Sequence, residues 1–228
     1  MADYKKLSES TFNMQAKTYD TDKNGKHART LYQHVINQLE TIKFDNLLDV
    51  GCGTGEILTT VKRLYPNTSM YGIDVSEEML KKAKEKVLDT VTLSLGDAEH
   101  LPFENGKFDC LLCTDSFHHY PTPKRAIAEF CRVLDTNGYL ILADFWKPFP
   151  IRQAMNIFIP FSNEGDVRIY SKSEIINFLE ANGFQDIQYR NINKSGYLVI
   201  AKKQGVMGWR PHGLCRCMWE KAGMFPRP

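Results

Sequence analysis

The stretch LLDVGCGTGE, Leu47 to Glu56, constrains this chain more than any other. Leu47–Val50 has the apolar character of a buried strand. Glycines follow at 51, 53 and 55. Ile57, Leu58, Val61 and Leu64 then recur on one side of a helix, which Pro66 stops. A strand running through a glycine turn into a helix is the opening of an α/β unit, and such a turn places backbone N–H groups against a ligand.

The rest of the chain repeats this alternation. Strands are expected at 69–73, 91–95, 108–113 and 139–143. Ser76 caps a helix whose acids, Glu77 and Glu78, precede its lysines, as the helix dipole favours. Thr122-Pro123 opens another, carrying Ile127, Phe130, Val133 and Leu134 and expected to end at Asn137-Gly138. Ser171-Lys172-Ser173-Glu174 is a capping box for a helix that stops at Asn182-Gly183. Strands at 185–191 and 196–201 are separated too briefly for a crossover, so they pair antiparallel. The expected fold is an α/β, doubly wound sheet of seven strands, mostly parallel with one antiparallel edge hairpin and helices on both faces.

At 228 residues the chain suits one domain. Residues 1–202 are read as that domain. Two helices fill about 1–43, and an aromatic and proline-rich insertion at about 146–170 covers the strand ends. Residues 203–228 are read as an appended tail. No apolar run reaches the roughly 18 residues of a membrane span. A net charge of +2 gives no expectation of nucleic acid. The N-terminus MADYKKLSES lacks the apolar centre of a secretory signal, and Cys110, Cys113 and Cys131 sit in core-like segments. Both point to a reducing cytoplasm rather than a disulfide framework.

In a sheet of this kind ligands bind beyond the carboxyl ends of the strands. Asp49, Asp74, Asp97 and Asp115 lie at or just beyond the first four strand ends. A carboxylate there opposes a pyrophosphate: like charges about 4 Å apart repel by about 4 kcal/mol at an effective dielectric near 20. The glycine spacing also departs from G-x-G-x-x-G, and no Gly-Lys-Ser/Thr follows. The ligand expected is therefore phosphate-free and cationic, with a diol for Asp74, nineteen residues past Gly55. Asp97 and the Ala98 N–H suit an adenine edge. S-adenosylmethionine has all these parts.

LLDVGCGTGE, YGIDVSEEML and GDAEHLPFENGKFDCLLCTDSFHHY together resemble the Rossmann-like class I S-adenosylmethionine-dependent methyltransferases, in the branch that includes ubiquinone and menaquinone biosynthesis enzymes. AKTYD at 16–20, RVLDTNGYLIL and the late ANGF extend the resemblance over about residues 10–202. It implies that Asp49, Gly51 and Gly53 line the methionine end of the cofactor and that Asp74 holds the ribose. It implies that Val75 and Met79 pack near the adenine, that Asp97 and Ala98 bind its edge, that Thr114 approaches the methionine, and that Tyr19 closes over it. Cys52 receives no chemistry. The implied activity is methyl transfer to a small-molecule acceptor; the alternative is a protein that binds the cofactor without turnover.

Other residues admit two readings. His118 is the candidate catalytic base, since a histidine titrates near neutrality, but the His118-His119-Tyr120 run is also read as structural. Asp115 either faces the site or caps a turn. His27 and His34 lie near enough to the N-terminal helices to face the site. Trp146, Phe149, Phe158, Phe161 and Tyr170 form either an acceptor pocket, the reading favoured, or a small core. Cys215-x-Cys217 with His212 lacks a usual zinc spacing, so no metal is expected.

Overall fold

A computed structural model describes residues 4–87, 89–162 and 165–205. Two helices, α1 (Tyr4–Gln15) and α2 (Lys26–Leu39), precede β1 (Asn46–Val50), α3 (Glu56–Leu64), β2 (Ser69–Asp74), α4 (Glu77–Lys86), β3 (Val91–Leu95) and β4 (Phe108–Thr114). A 3-10 turn at Phe117–His119 leads to α5 (Pro123–Val133) and β5 (Leu134–Phe145). Then come α6 (Ile151–Phe158), α7 (Lys172–Ala181), β6 (Phe184–Asn191) and β7 (Gly196–Lys203).

The seven strands lie in the order β3-β2-β1-β4-β5-β7-β6. All pairs from β3 to β5 are parallel, and β7 runs antiparallel between β5 and β6. The chain therefore reverses direction across the sheet between β1 and β4, where the crevice of such folds opens. Both faces of the central strands are buried. Leu48, Val50, Leu111, Cys113, Leu140 and Leu142 face one core, with Phe130 of α5 and Leu179 of α7. Leu47, Cys110, Leu112 and Ile141 face the other, with Leu31 and Val35 of α2 and Val61 of α3. The period of two sends alternate residues to opposite helix layers, which is why these strands read as unbroken apolar runs.

One boundary differs from expectation. Helix α5 ends at Val133, four residues before Asn137-Gly138. Leu134 already pairs with Phe108, and the next pair is Tyr139 with Cys110. Residues 135–138 form an irregularity inside β5, with Asn137 at φ 66°. Tertiary pairing of Leu134 overrides the local stop signal. The Ser171 capping box forms as expected, with the Glu174 N–H donating to Ser171 Oγ and the Ser171 N–H to Glu174 Oε2. Lys203, assigned to the tail, completes β7, and its Nζ donates to the Leu134 carbonyl at 2.6 Å. His212, Cys215 and Cys217 lie outside the described residues.

Phe130 is fully buried at the centre of the first core. Phe130→Ala should cost about 3–5 kcal/mol, measured as a lowered urea midpoint with an unchanged slope.

Candidate functional site

The glycine loop is shaped by its backbone. Gly51 has φ 73°, and a Cβ there would lie 2.5 Å from Ser116 Oγ. Gly53 has φ 53° and faces open space, so the chain presents bare backbone to the cavity at that point. The Gly53 N–H donates to Asp74 Oδ2 at 2.8 Å, and the Ser76 N–H donates to Asp74 Oδ1 at 2.9 Å. Asp74 thus locks the first loop to the start of α4, and each of its oxygens keeps a lone pair for a ligand. Burial pushes its carboxyl up, against the pull of these N–H groups.

The loop borders a cavity of about 940 Å³, its solvent mouth included. Each of the residues assigned to the cofactor, Tyr19, Asp49, Gly51, Gly53, Asp74, Val75, Met79, Asp97, Ala98 and Thr114, lines it. Asp49 is 2% exposed, and its Oδ1 has no hydrogen-bond partner. Burial, and secondarily the Asp74 charge, push its carboxyl up to about 7. Thr114 Oγ1 is likewise buried and unpartnered. Two orphaned oxygens in one cavity ask for a donor, and a cationic donor satisfies a carboxylate best. The ammonium of S-adenosylmethionine meets that demand, so the donor set fits the cofactor. Cys52 also lines the cavity, but burial pushes its thiol up, which keeps it unreactive.

Helix α1 packs on α4 and on the 3-10 turn, and its Lys5, Ser8 and Phe12 complete the cavity wall. Lys5 Nζ meets Asp97 Oδ2 and Glu99 Oε2, each at 2.6 Å. Burial opposes ionisation of Asp97, but Lys5 and the Glu99 N–H outweigh it and hold the carboxyl below its usual range. Asp20 ties the preceding loop down by accepting from Thr54 Oγ1 at 2.5 Å and from Lys86.

A second cavity adjoins the first and shares Phe12, Tyr19, Asp115 and His119 with it. Here the two readings of Asp115 separate. It accepts from His27 Nδ1 at 2.6 Å, while His27 Nε2 donates to the Ser195 carbonyl at 2.9 Å. Both ring nitrogens act as donors. Burial lowers the His27 pKa, but Asp115 outweighs it and the net shift is upward. His34 lines neither cavity. His118 Nδ1 donates to Asp144 Oδ1 at 2.5 Å, and the His118 N–H to Asp144 Oδ2 at 2.9 Å. Burial opposes the charge on this ring, but Asp144 prevails and raises its pKa to about 10. His119 is pushed down to about 4 by burial and by the His118 charge beside it.

The insertion contributes to this cavity with Met155, Ile159, Asp166 and Ile169. The aromatics expected there do not. Phe149, Phe158 and Phe161 are exposed, Trp146 packs on the sheet core, and Tyr170 is inside it. Lys5, Asp144 and Asp166 escaped the sequence reading. Asp144 had a signal: it follows Ala143 at the fifth strand end, where the same strand-end rule applies.

Residues 48–142 match the family described as "Methyltransferase domain". The chain is 30% identical over 217 residues to 2-methyl-6-phytyl-1,4-hydroquinone methyltransferase 2, chloroplastic, of Oryza sativa subsp. japonica, which covers 82% of this chain and 56% of the relative. It spans 35% and 59% of two further curated relatives. Among solved structures, the YcgJ protein of Bacillus subtilis superposes with a TM-score of 0.65 at 22% identity, over 75% of this chain and 99% of that one. Phosphoethanolamine N-methyltransferase 2 of Haemonchus contortus, in complex with S-adenosyl-L-methionine, gives 0.68 at 16%, over 77% and 52%. The chain carries a methyltransferase domain. The fold around that domain is the Rossmann-like fold of the solved structures it superposes on.

Gly51 leaves no room for a side chain and holds a left-handed backbone. Gly51→Ala should destabilise the protein by about 1–3 kcal/mol, seen as a lower urea midpoint.

Proposed function

We propose that this protein transfers a methyl group from S-adenosylmethionine to a small-molecule nucleophile, with the cofactor in the first cavity and the acceptor in the second. The observation that carries the reading is the pair of orphaned buried oxygens, Asp49 Oδ1 and Thr114 Oγ1, beside a glycine loop open to a ligand. When bound, the cofactor supplies an activated sulfonium methyl. Asp49 and Thr114 hold its ammonium end. Asp74 accepts from the ribose hydroxyls with its remaining lone pairs. Val75, Met79, Asp97 and Ala98 shape the adenine subsite, and Tyr19 closes over the methionine. Position supplies much of the rate in such a reaction, because bringing two reactants into line replaces a bimolecular encounter.

On the acceptor side His118 is the catalytic candidate, but not as a free base. Against the pull of burial, Asp144 raises its pKa to about 10, so near neutrality the ring is protonated and Nε2–H donates into the acceptor cavity to orient the acceptor. Phe12, Met155 and Ile159 make the cavity partly apolar, which suits an uncharged or aromatic acceptor. The rice relative is named for a hydroquinone substrate, and a phenolic acceptor is the class we favour here. Four described cysteines, Cys52, Cys110, Cys113 and Cys131, are free, in keeping with a cytoplasmic location. No helix of the described residues is long and apolar enough to cross a membrane.

Isothermal titration tests the reading. S-adenosylmethionine and its demethylated product should both bind, and NAD should not. Asp74→Ala should weaken both by at least about tenfold; unchanged affinity, or a preference for NAD, would overturn it.

Asp49 also sets a pH dependence. Its carboxyl, raised to about 7, is charged above that pH and neutral below it. Cofactor affinity should therefore fall from pH 8 to pH 5.5, approaching about tenfold per unit on the acid side. Asp49→Asn should bind more weakly at pH 8 and show a flattened profile, both read by the same titration.

A further inference from the structure

We propose that His118, His119 and Asp166 form a binding site for one divalent transition-metal ion at the acceptor end of the active site. The inference deepens the proposed function and rests on it only for the use made of the ion. The site itself is argued from the side chains.

His118 and His119 are consecutive in the 3-10 turn after β4, and both line the acceptor cavity with Asp166 of the insertion. His118 Nε2 lies 3.6 Å from Asp166 Oδ1, and His119 Nδ1 lies 3.3 Å from the same oxygen. The donor atoms of the three residues all fall within 4.8 Å of one another. Atoms that each sit about 2.0–2.2 Å from one ion stand about 2.8–3.6 Å apart in tetrahedral or octahedral geometry. The two measured separations are in that range. His119 Nδ1 is buried and makes no well-formed hydrogen bond, its near neighbour being the Asp166 oxygen at 3.3 Å. A buried imidazole nitrogen left facing a carboxylate oxygen at that distance leaves room for an ion between them.

The surroundings match what metal-binding histidines need. Asp144 is 1% exposed and accepts from His118 Nδ1, from the His118 N–H and from the Phe145 N–H. That carboxylate fixes the ring and directs Nε2 into the cavity, the arrangement that orients a ligating imidazole. Asp115, Asp144 and Asp166 bring three carboxylates to this region, and His27 already answers Asp115. Two imidazoles and one carboxylate suit a borderline ion such as Mn²⁺, Fe²⁺, Co²⁺ or Zn²⁺. Mg²⁺ and Ca²⁺ prefer oxygen alone. Three protein ligands leave positions free on the cavity side.

A bound ion would lower the pKa of an acceptor hydroxyl reaching one of those positions. The proton passes to water. The freed oxygen pair forms the new bond to the methyl carbon as the carbon–sulfur bond breaks and its electrons return to sulfur.

The test uses full-length protein freed of metal by a chelator and titrated with Co²⁺, followed by calorimetry and by the visible absorption of the bound ion. Cys215→Ser/Cys217→Ser is included in every arm, to remove thiol ligands. One Co²⁺ per chain is expected. Asp166→Asn and, separately, His119→Gln should each weaken it at least about tenfold, with the urea midpoint checked for both. Asp166 does not line the first cavity, so Asp166→Asn should bind S-adenosylmethionine as the parent does. Failure to bind Co²⁺ below about 1 mM (roughly −4 kcal/mol), or equal binding by parent and both variants, overturns the site. Loss of cofactor binding with Co²⁺ binding intact would instead overturn the proposed function and leave the metal site standing.

Discussion

A carboxylate sealed into the end of β1 with one oxygen unpartnered is the constraint around which the site is arranged. Asp49 sits where the sheet reverses direction, among residues too apolar to answer it. An uncompensated buried charge is costly, and proteins keep one chiefly where a ligand will compensate it. The neighbouring Asp74 cannot help, because it carries the same sign and is engaged by the Gly53 and Ser76 N–H groups. Positive charge must come from outside. That single requirement excludes a pyrophosphate and favours a cationic adenosine compound, whatever the wider resemblance.

The two cavities differ in how their charges are balanced. On the cofactor side Asp49 is orphaned, Asp74 is met by backbone N–H groups, and Asp97 is met by a cation from α1. On the acceptor side each acid has a histidine within reach: Asp115 with His27, Asp144 with His118, and Asp166 with His118 and His119. The histidines fix the charges of the second cavity, with His118 held protonated by Asp144 and His119 held neutral beside it. In the first cavity it is Asp49, raised to about 7, that changes charge near neutrality.

Much of this was legible beforehand. The glycine loop and the strand-end aspartates are local features, and the alternation of strands and helices fixes where those ends converge. All ten cofactor candidates accordingly line one cavity. What could not be read is what distant segments do to one another. Lys5 reaches Asp97 across 92 positions, and His118 meets Asp144 across 26. Helix α5 ends ahead of its local stop signal because Leu134 finds a strand partner first. Of the aromatics in the insertion, Trp146 and Tyr170 join the core and the three phenylalanines turn outward, so none lines either cavity. Exposed Phe149, Phe158 and Phe161 show that aromatic content alone says nothing about which face turns inward.

Helix α1 and the insertion are fastened to each other where Ser8 Oγ donates to the Gly165 carbonyl at 3.1 Å, with the Gly165 backbone pressed against Ser8. Helix α1 walls both cavities, and the insertion walls the second. A hinge motion that frees either wall must break or carry this seam. Access to the one cavity is thereby coupled mechanically to access to the other.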